Sequence, residues 1–302
     1  MPRGVAVVIV TYNSADVLAG CLESLAGGAA GVRLSDVVVA DNASKDDSVA
    51  IAKAADGVRV VEVGRNAGYA AAINAGLDAL DLGELDAVYV INPDCRLRPG
   101  SILPLARVLD DDRRGIAVPY MVNPDGSLQP SLRRMPAIGR AVVEALIGGI
   151  RAGRIGTLGE LVTDPRDYAR AREVAWATGA AMLMSARMLR ELGPWDETFL
   201  LYSEETEYCL RAADHGWATY YEPASVIEHI GGDSAVNPTL AALLIVNKVT
   251  LFRRRRGPLA GTVYYLVVLA GEAARALTGR ATSRRCVSWL LRPSLRMRSL
   301  PG

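Results

Sequence analysis

The chain has 302 residues, 50% of them hydrophobic and 22% charged, enough apolar material for a sizeable core and too much for disorder or a low-complexity repeat. Its 34 basic and 33 acidic side chains leave a formal charge of +1, so no global field draws it toward nucleic acid. The four cysteines, Cys21, Cys95, Cys209 and Cys286, lie far apart without a CxxC pair, which argues for reduced thiols rather than a zinc knuckle or a disulfide framework. Met1-Pro2-Arg3-Gly4 leads directly into a strand-like run, a start too short and wrongly flanked for a signal peptide, so no export is expected.

Residues 5–10, 37–40, 58–63 and 87–91 are short, β-branched runs that predict strands. Between the first two, Val17, Leu18, Cys21, Leu22 and Leu25 recur at helical spacing, and residues 70–80 do the same between the third and fourth. This alternation predicts βαβ units, a mostly parallel sheet covered on both faces. Ser44, three residues ahead of Asp47, resembles a capping arrangement and predicts a helix starting immediately after the strand that ends at Ala40. Polar residues gather at the carboxyl ends of the strands: Thr11-Tyr12-Asn13, Asp41-Asn42, Asn66 and Asn92-Pro93-Asp94. Open α/β sheets take their ligands there. No GxGxxG or GxxxxGKS loop accompanies them, which argues against a backbone phosphate cradle. A carboxylate after the fourth strand offers another route, a divalent cation bridging the phosphates of a nucleotide diphosphate.

From about residue 116 to His229 the pattern is less regular. Residues 180–184 predict a buried strand, 186–192 a short helix ended by Gly193-Pro194, and 205–214 a helix stopped at Gly216. Residues 136–162 read as a helical or mobile excursion. Beyond His229, residues 240–252 predict an apolar helix, Arg253 to Arg256 form a basic run, and residues 258–270 are apolar again. That last stretch is short of the ~20 residues that span a bilayer. It predicts an interfacial helix, with arginines at anionic headgroups and Tyr264, Tyr265 and leucines in the lipid boundary. A solvated basic face is the plainer reading of the arginines, and the apolar surface equally suits a homo-oligomer interface.

Taken together, Val8-Ile9-Val10-Thr11-Tyr12-Asn13, Val39-Ala40-Asp41-Asn42, Asn66-Ala67-Gly68-Tyr69, Asn92-Pro93-Asp94, Thr178-Gly179-Ala180, Trp195-Asp196-Glu197, Glu204-Glu205 and His229-Ile230-Gly231-Gly232 occur in a familiar order. Over roughly residues 5–235 the chain resembles the glycosyltransferase family 2 enzymes of GT-A fold, particularly bacterial rhamnosyltransferases. The resemblance implies an α/β GT-A domain over 1–235, a mostly parallel mixed sheet flanked by helices. Its nucleotide-binding half would be about 1–115, its acceptor half about 116–235, with a helical, membrane-associating extension over 236–302.

The same resemblance places Thr11, Asn13 and Asp41 at the nucleotide, with Asn66 and Gly68 bordering the donor. Asn92-Pro93-Asp94 stands where the family has its DxD motif. Asn92 replaces the first Asp, so Asp94, with His229, would hold a weakly bound Mg2+ or Mn2+. Glu205 aligns with the catalytic base, where Asp is usual. It would deprotonate the acceptor hydroxyl and invert the anomeric centre. Glu204, Trp176, Thr178 and Gly179 fall on the acceptor side. Glu204 and Glu207 also suit a helix N-terminus, His215 a helix C-terminus, and Trp176 and Trp195 the core. The implied substrates are dTDP-L-rhamnose and a polyprenyl-diphosphate-linked N-acetylglucosamine, at the inner face of the cell membrane, with no nucleic acid. A UDP-sugar transferase and a non-catalytic nucleotide-sugar-binding scaffold are the alternatives.

Overall fold

The computed structural model describes residues 4–231 and 237–300. Gly232 and the expected boundary at residue 235 lie outside them. The four N-terminal runs form β1 (Gly4–Thr11), β2 (Arg33–Asp41), β3 (Val58–Glu62) and β4 (Ala87–Ile91), all parallel, in the order β3-β2-β1-β4. The nine-stranded sheet continues through β10 (Ala181–Ser185), β6 (Arg114–Val122), β11 (Ala218–His229) and β5 (Cys95–Leu97), β8 (Arg172–Val174) pairs with β11, and β7 (Leu132–Arg133) and β9 (Trp176–Ala177) form a separate pair. β10 runs antiparallel to β4, so the sheet is mixed.

Strand alternation makes two cores from one sheet. β1 sends Val5, Val7 and Ile9 to one side, under α1 (Ala15–Gly28), α2 (Ser48–Ala54) and α4 (Ile102–Val108). It sends Ala6, Val8 and Val10 to the other, under α3 (Tyr69–Asp78), α7 (Ala186–Leu192) and α8 (Glu204–Asp214). Chain order reverses between β1 and β4, which opens a crevice beyond their carboxyl ends. α2 begins at Ser48, several residues later than the capping pattern predicts. Ser44 caps no helix because its hydroxyl is spent on Asp41, 2.5 Å away.

The excursion at 136–162 is largely helical, with α5 (Ile138–Ile147) and α6 (Gly149–Gly153). It packs on a third apolar cluster built by α9 (Pro238–Leu277) and α10 (Ala281–Leu291). α9 is not one rod. At Gly257, φ 79° and ψ 175° break it ahead of Pro258. Twelve residues of straight helix would separate Phe252 from Tyr264 by about 18 Å, yet their rings stack at 4.0 Å, so the two arms fold back into a hairpin.

This hairpin corrects the expectation for Tyr264, which is fully buried against Phe252 and cannot enter lipid. Tyr265 is half-buried, its hydroxyl donating to Leu290 O. Leu259, Val263, Leu266 and Ala270, at helical spacing on the second arm, are exposed instead. The arginine run is divided: Arg254 pairs with Asp196 at 3.0 Å and Arg255 with Asp214 at 2.9 Å, tying the hairpin to the main domain.

Candidate active site

The crevice beyond β1 and β2 is braced before any ligand enters. Thr11, almost fully buried at the end of β1, donates its hydroxyl to Asp41 Oδ1 at 2.9 Å. Ser44 donates its amide to Asp41 Oδ2 at 2.9 Å, so both carboxylate oxygens have internal donors. Asn13 accepts the Lys45 amide on its side chain at 2.8 Å, and its own amide donates to Ser44 Oγ. Asn13 and Ala43 adopt φ of 50° and 61°, a left-handed turn held by this network.

Asn42 was not singled out as a site residue, yet it joins two loops. Its side chain donates to Gly68 O at 3.1 Å and accepts the Ala67 amide at 3.4 Å. Gly68 has φ 101° and ψ 169°, and an added Cβ would fall 2.3 Å from Leu200 O. That carbonyl accepts the Tyr69 amide at 3.1 Å. Only glycine fits where the backbone on the donor side touches the loop leading to Glu205. Asn66 lies beside this contact, half-buried in the same loop.

Across the crevice, β5 pairs with β11 so that Cys95 faces His229. That register brings His229 Nε2 to 3.4 Å from Asp94 Oδ1, a buried oxygen without a well-formed hydrogen bond. His229 is the last residue of β11. Its Nδ1 lies 2.6 Å from Gln129 Oε1. Burial pushes the Asp94 carboxyl up, but the facing His229 and backbone amides outweigh it and hold the carboxyl below its ordinary value. Asp94, Cys95 and His229 come within 4.8 Å of one another. Cys95 is a poor ligand there: burial pushes its thiol well up, and Sγ donates to Ala180 O at 3.3 Å. Asp94 and His229 thus suit a divalent cation that completes its shell with phosphate oxygens.

Tyr69 connects this corner to the base. Its hydroxyl lies 2.8 Å from Asn92 Oδ1 and 2.9 Å from Gly179 O. A Cβ on Gly179 would meet Glu205 Cβ at 3.2 Å. Tyr69 and Gly179 thus link Asn92, in the loop that carries Asp94, to Glu205. Tyr69 carried no motif weight of its own in the sequence.

Glu205 lines a cavity of about 490 Å3 together with Arg133, Trp176, Thr178, Tyr202 and Ser203. The Trp176 indole N–H donates to Arg134 O at 3.2 Å. Glu204 does not line it; the side chain is 2% exposed and its Oε2 has no partner. Burial, and then the charge of Glu205, push the Glu204 carboxyl well above its ordinary value. Burial also raises Glu205, while helix N-terminal amides and Arg133 pull it down. Both carboxyls therefore sit above their ordinary value, Glu204 the further. Glu207 is structural, paired with Arg211 at 3.0 Å, and His215 Nδ1 lies 2.8 Å from Arg211 O at the helix end.

Ahead of α8, Tyr202 and Ser203 have φ of 69° and 77°. Asn247 of α9 donates to Leu201 O at 3.0 Å and Tyr202 O at 3.1 Å, which holds this strained turn. Nothing local in the sequence links Asn247 or Arg133 to the base.

The family model for glycosyl transferase family 2 matches residues 6–192. The chain belongs to this family. It is a glycosyltransferase with the GT-A architecture expected from its motifs. It is 32% identical over 233 residues to the N-acetylglucosaminyl-diphospho-decaprenol L-rhamnosyltransferase of Mycobacterium tuberculosis, covering 74% of this chain and 75% of that one. In fold the transferase is similar to GalNAc-T7 with UDP, GalNAc and Mn2+, at 14% identity and TM-score 0.62, covering 96% of this chain but only 56% of that one. It is also similar to the mannosyltransferase PcManGT of Pyrobaculum calidifontis with GDP-Man and Mn2+, at 15% identity and TM-score 0.59, covering 95% and 79%.

Proposed function

We propose that this transferase moves L-rhamnose from dTDP-L-rhamnose to N-acetylglucosamine carried on a polyprenyl diphosphate, inverting the anomeric carbon. The observation that carries the mechanism is the arrangement around Tyr69: Asp94 and His229 on one side, Glu205 on the other, with Gly179 between. A sugar seated there has its leaving diphosphate at the first group and its attacked face toward the second. The transferred rhamnose and the acceptor follow the activity named for the mycobacterial relative, and dTDP as the carrier follows the family resemblance of the sequence motifs.

In this reading Glu205 takes the proton of the acceptor hydroxyl as the oxygen attacks. A divalent cation, Mg2+ or Mn2+, held by Asp94, His229 and the donor's phosphates, would neutralise the charge of the departing nucleotide diphosphate. Thr11, Asn13 and Asp41 shape the nucleotide end, and Asn66 and Gly68 the sugar end.

The test is release of nucleotide diphosphate with a short N-acetylglucosaminyl-diphospholipid, Mg2+ or Mn2+, and a panel of dTDP- and UDP-sugars. Release confined to dTDP-rhamnose with acceptor present supports the proposal. Release with a UDP-sugar replaces the donor, and binding without turnover on any acceptor favours a scaffold.

We further propose peripheral attachment at the inner face of the membrane through the extension beyond residue 236. Residues 238–300 hold twelve Lys and Arg against one carboxylate, Glu272, in a chain that is near neutral as a whole. Among the described residues every large exposed apolar side chain lies at Met135 or later, including Leu259, Val263 and Leu266. Basic charge beside an apolar stripe suits an anionic bilayer surface. Sedimentation with anionic vesicles should be lost in a Leu259→Glu, Val263→Glu, Leu266→Glu variant. Retained sedimentation with altered oligomeric state would make the stripe a subunit interface.

A further inference from the structure

The cavity at Glu205 extends well beyond what a sugar hydroxyl needs, and at about 490 Å3 it lies within the range of small-molecule sites, ~300–1,000 Å3. Away from Glu205 its wall is apolar, formed by Met135, Ile150, Leu161, Leu244, Leu251 and Phe252 from the excursion and the first arm of α9. Four cations also line it: Arg133, Lys248, Arg255 and Arg256.

Those cations are not equivalent. Lys248 is held between Glu144 at 3.2 Å and Glu160 at 2.8 Å, which line the cavity with it, so its ammonium is already engaged. Arg255 is paired with Asp214. Arg133 donates Nη1 to Pro130 O and Leu132 O and sits 5.7 Å from the Trp176 ring centroid. Among the described residues it has no carboxylate within 4.0 Å, and neither has Arg256, which is exposed on the same wall. A guanidinium remains charged at any accessible pH and presents a fork matched to phosphate oxygens. Two guanidinium groups with no carboxylate in contact therefore share this largely apolar cavity with Glu205 and with Glu144 and Glu160, the two carboxylates that hold Lys248.

We propose that this cavity is the binding site for the prenyl-diphosphate part of the acceptor, with Arg133 and Arg256 holding the diphosphate and Leu244, Leu251 and Phe252 packing the first isoprene units. The proposal rests on the acceptor class given above and adds where that acceptor is recognised. A ligand with an anionic head and an apolar tail satisfies both halves of the wall. A free sugar satisfies neither, and inorganic diphosphate leaves the apolar half in water. Because α9 builds the trough and its neighbouring arm carries the exposed stripe, an acceptor drawn from a membrane would reach Glu205 with its lipid end toward the hairpin.

The experiment measures binding of farnesyl diphosphate to the full-length protein by tryptophan fluorescence, Trp176 lining the cavity, with farnesol, inorganic diphosphate and dTDP as comparison ligands. Wild type should bind farnesyl diphosphate at least tenfold more tightly than farnesol or inorganic diphosphate, without competition from dTDP. Arg133→Gln and Arg256→Gln should each weaken farnesyl diphosphate at least tenfold and leave farnesol and dTDP unchanged, the latter showing that the fold persists. Leu244→Trp, which fills the trough, should weaken farnesyl diphosphate and leave inorganic diphosphate alone. Competition by dTDP, or full affinity in both arginine variants, would overturn the proposal. If prenyl diphosphate binds as expected but no sugar is transferred to its N-acetylglucosaminyl form, the functional reading fails and the site stands. If transfer occurs with unchanged KM in both arginine variants, the reading stands and the site fails.

Discussion

Gly68→Ala probes the point where the donor loop touches the loop of the base. Its new Cβ would stand 2.3 Å from Leu200 O, and that backbone oxygen would have to retreat by about 0.7 Å to reach even 3.0 Å. Alanine at φ 101° and ψ 169° sits in a region open essentially to glycine alone, a strain of about 1–3 kcal/mol. Moving Leu200 O also weakens its hydrogen bond from the Tyr69 amide, worth about 0.5–1.5 kcal/mol. Together these destabilise the fold by about 1.5–4.5 kcal/mol and lower Tm by roughly 3–10 °C for a chain of this size. Leu200 leads through the left-handed Tyr202 and Ser203 to Glu205, so the displacement reaches the base. A shift approaching 1 Å in reacting geometry costs on the order of a hundredfold in rate. Thermal melts and kcat/KM should be compared with Gly64→Ala, which has φ 78° but no atom within 4 Å of its new Cβ. That control should lose about 1 kcal/mol and keep its turnover. A Gly68→Ala enzyme that matches Gly64→Ala in both melting and kcat/KM would show that the contact with Leu200 does not matter.

Glu205→Gln should lower kcat by about 10²–10⁴-fold with dTDP binding intact, as expected for a general base; near-wild-type turnover would remove that role. Because burial raises the Glu205 carboxyl and the base acts deprotonated, wild-type kcat/KM should fall as pH drops through a value above the ordinary carboxylate range. Glu204, also raised, binds a proton in the folded state that the unfolded chain has released, so stability should decline as pH rises from its ordinary value toward its raised one. The slope is at most about 1.4 kcal/mol per pH unit, and Glu204→Gln should flatten it in pH-resolved melts. Asp94→Asn should abolish the tightening of nucleotide diphosphate binding by Mn2+, read by calorimetry with and without the ion. Asn247→Leu leaves the Leu201 and Tyr202 carbonyls without their donor and should depress kcat more than dTDP affinity, whereas equal loss of both would indicate general unfolding.

The strands and helices of the N-terminal half were legible in the sequence because each carries its own signal. β1 is buried on both faces and therefore reads as an unbroken apolar run, and α1 carries a stripe at helical spacing. Strand ends facing the crevice were legible for the same reason, since Thr11, Asp41 and Asn92 end the apolar runs of β1, β2 and β4. Ser44 misled because a serine three residues before an acid looks alike whether it caps a helix or, as here, donates to the preceding Asp41.

What the sequence by itself determined was local: periodicity, turn chemistry, and the order of motifs that marks a family 2 glycosyltransferase. What only the tertiary structure decided was pairing across distance. Tyr264 counted as a lipid-facing aromatic until the reversal at Gly257 stacked it on Phe252. Glu204 and Glu205 are chemically identical neighbours, separated only because the start of α8 turns one inward and leaves the other facing Arg133 and the cavity. Arg133, Tyr69 and Asn247 gain their roles from contacts with segments 45 to 110 residues away. One-dimensional spacing carries no record of which side chains burial will bring together, nor of which charges it will leave unpaired.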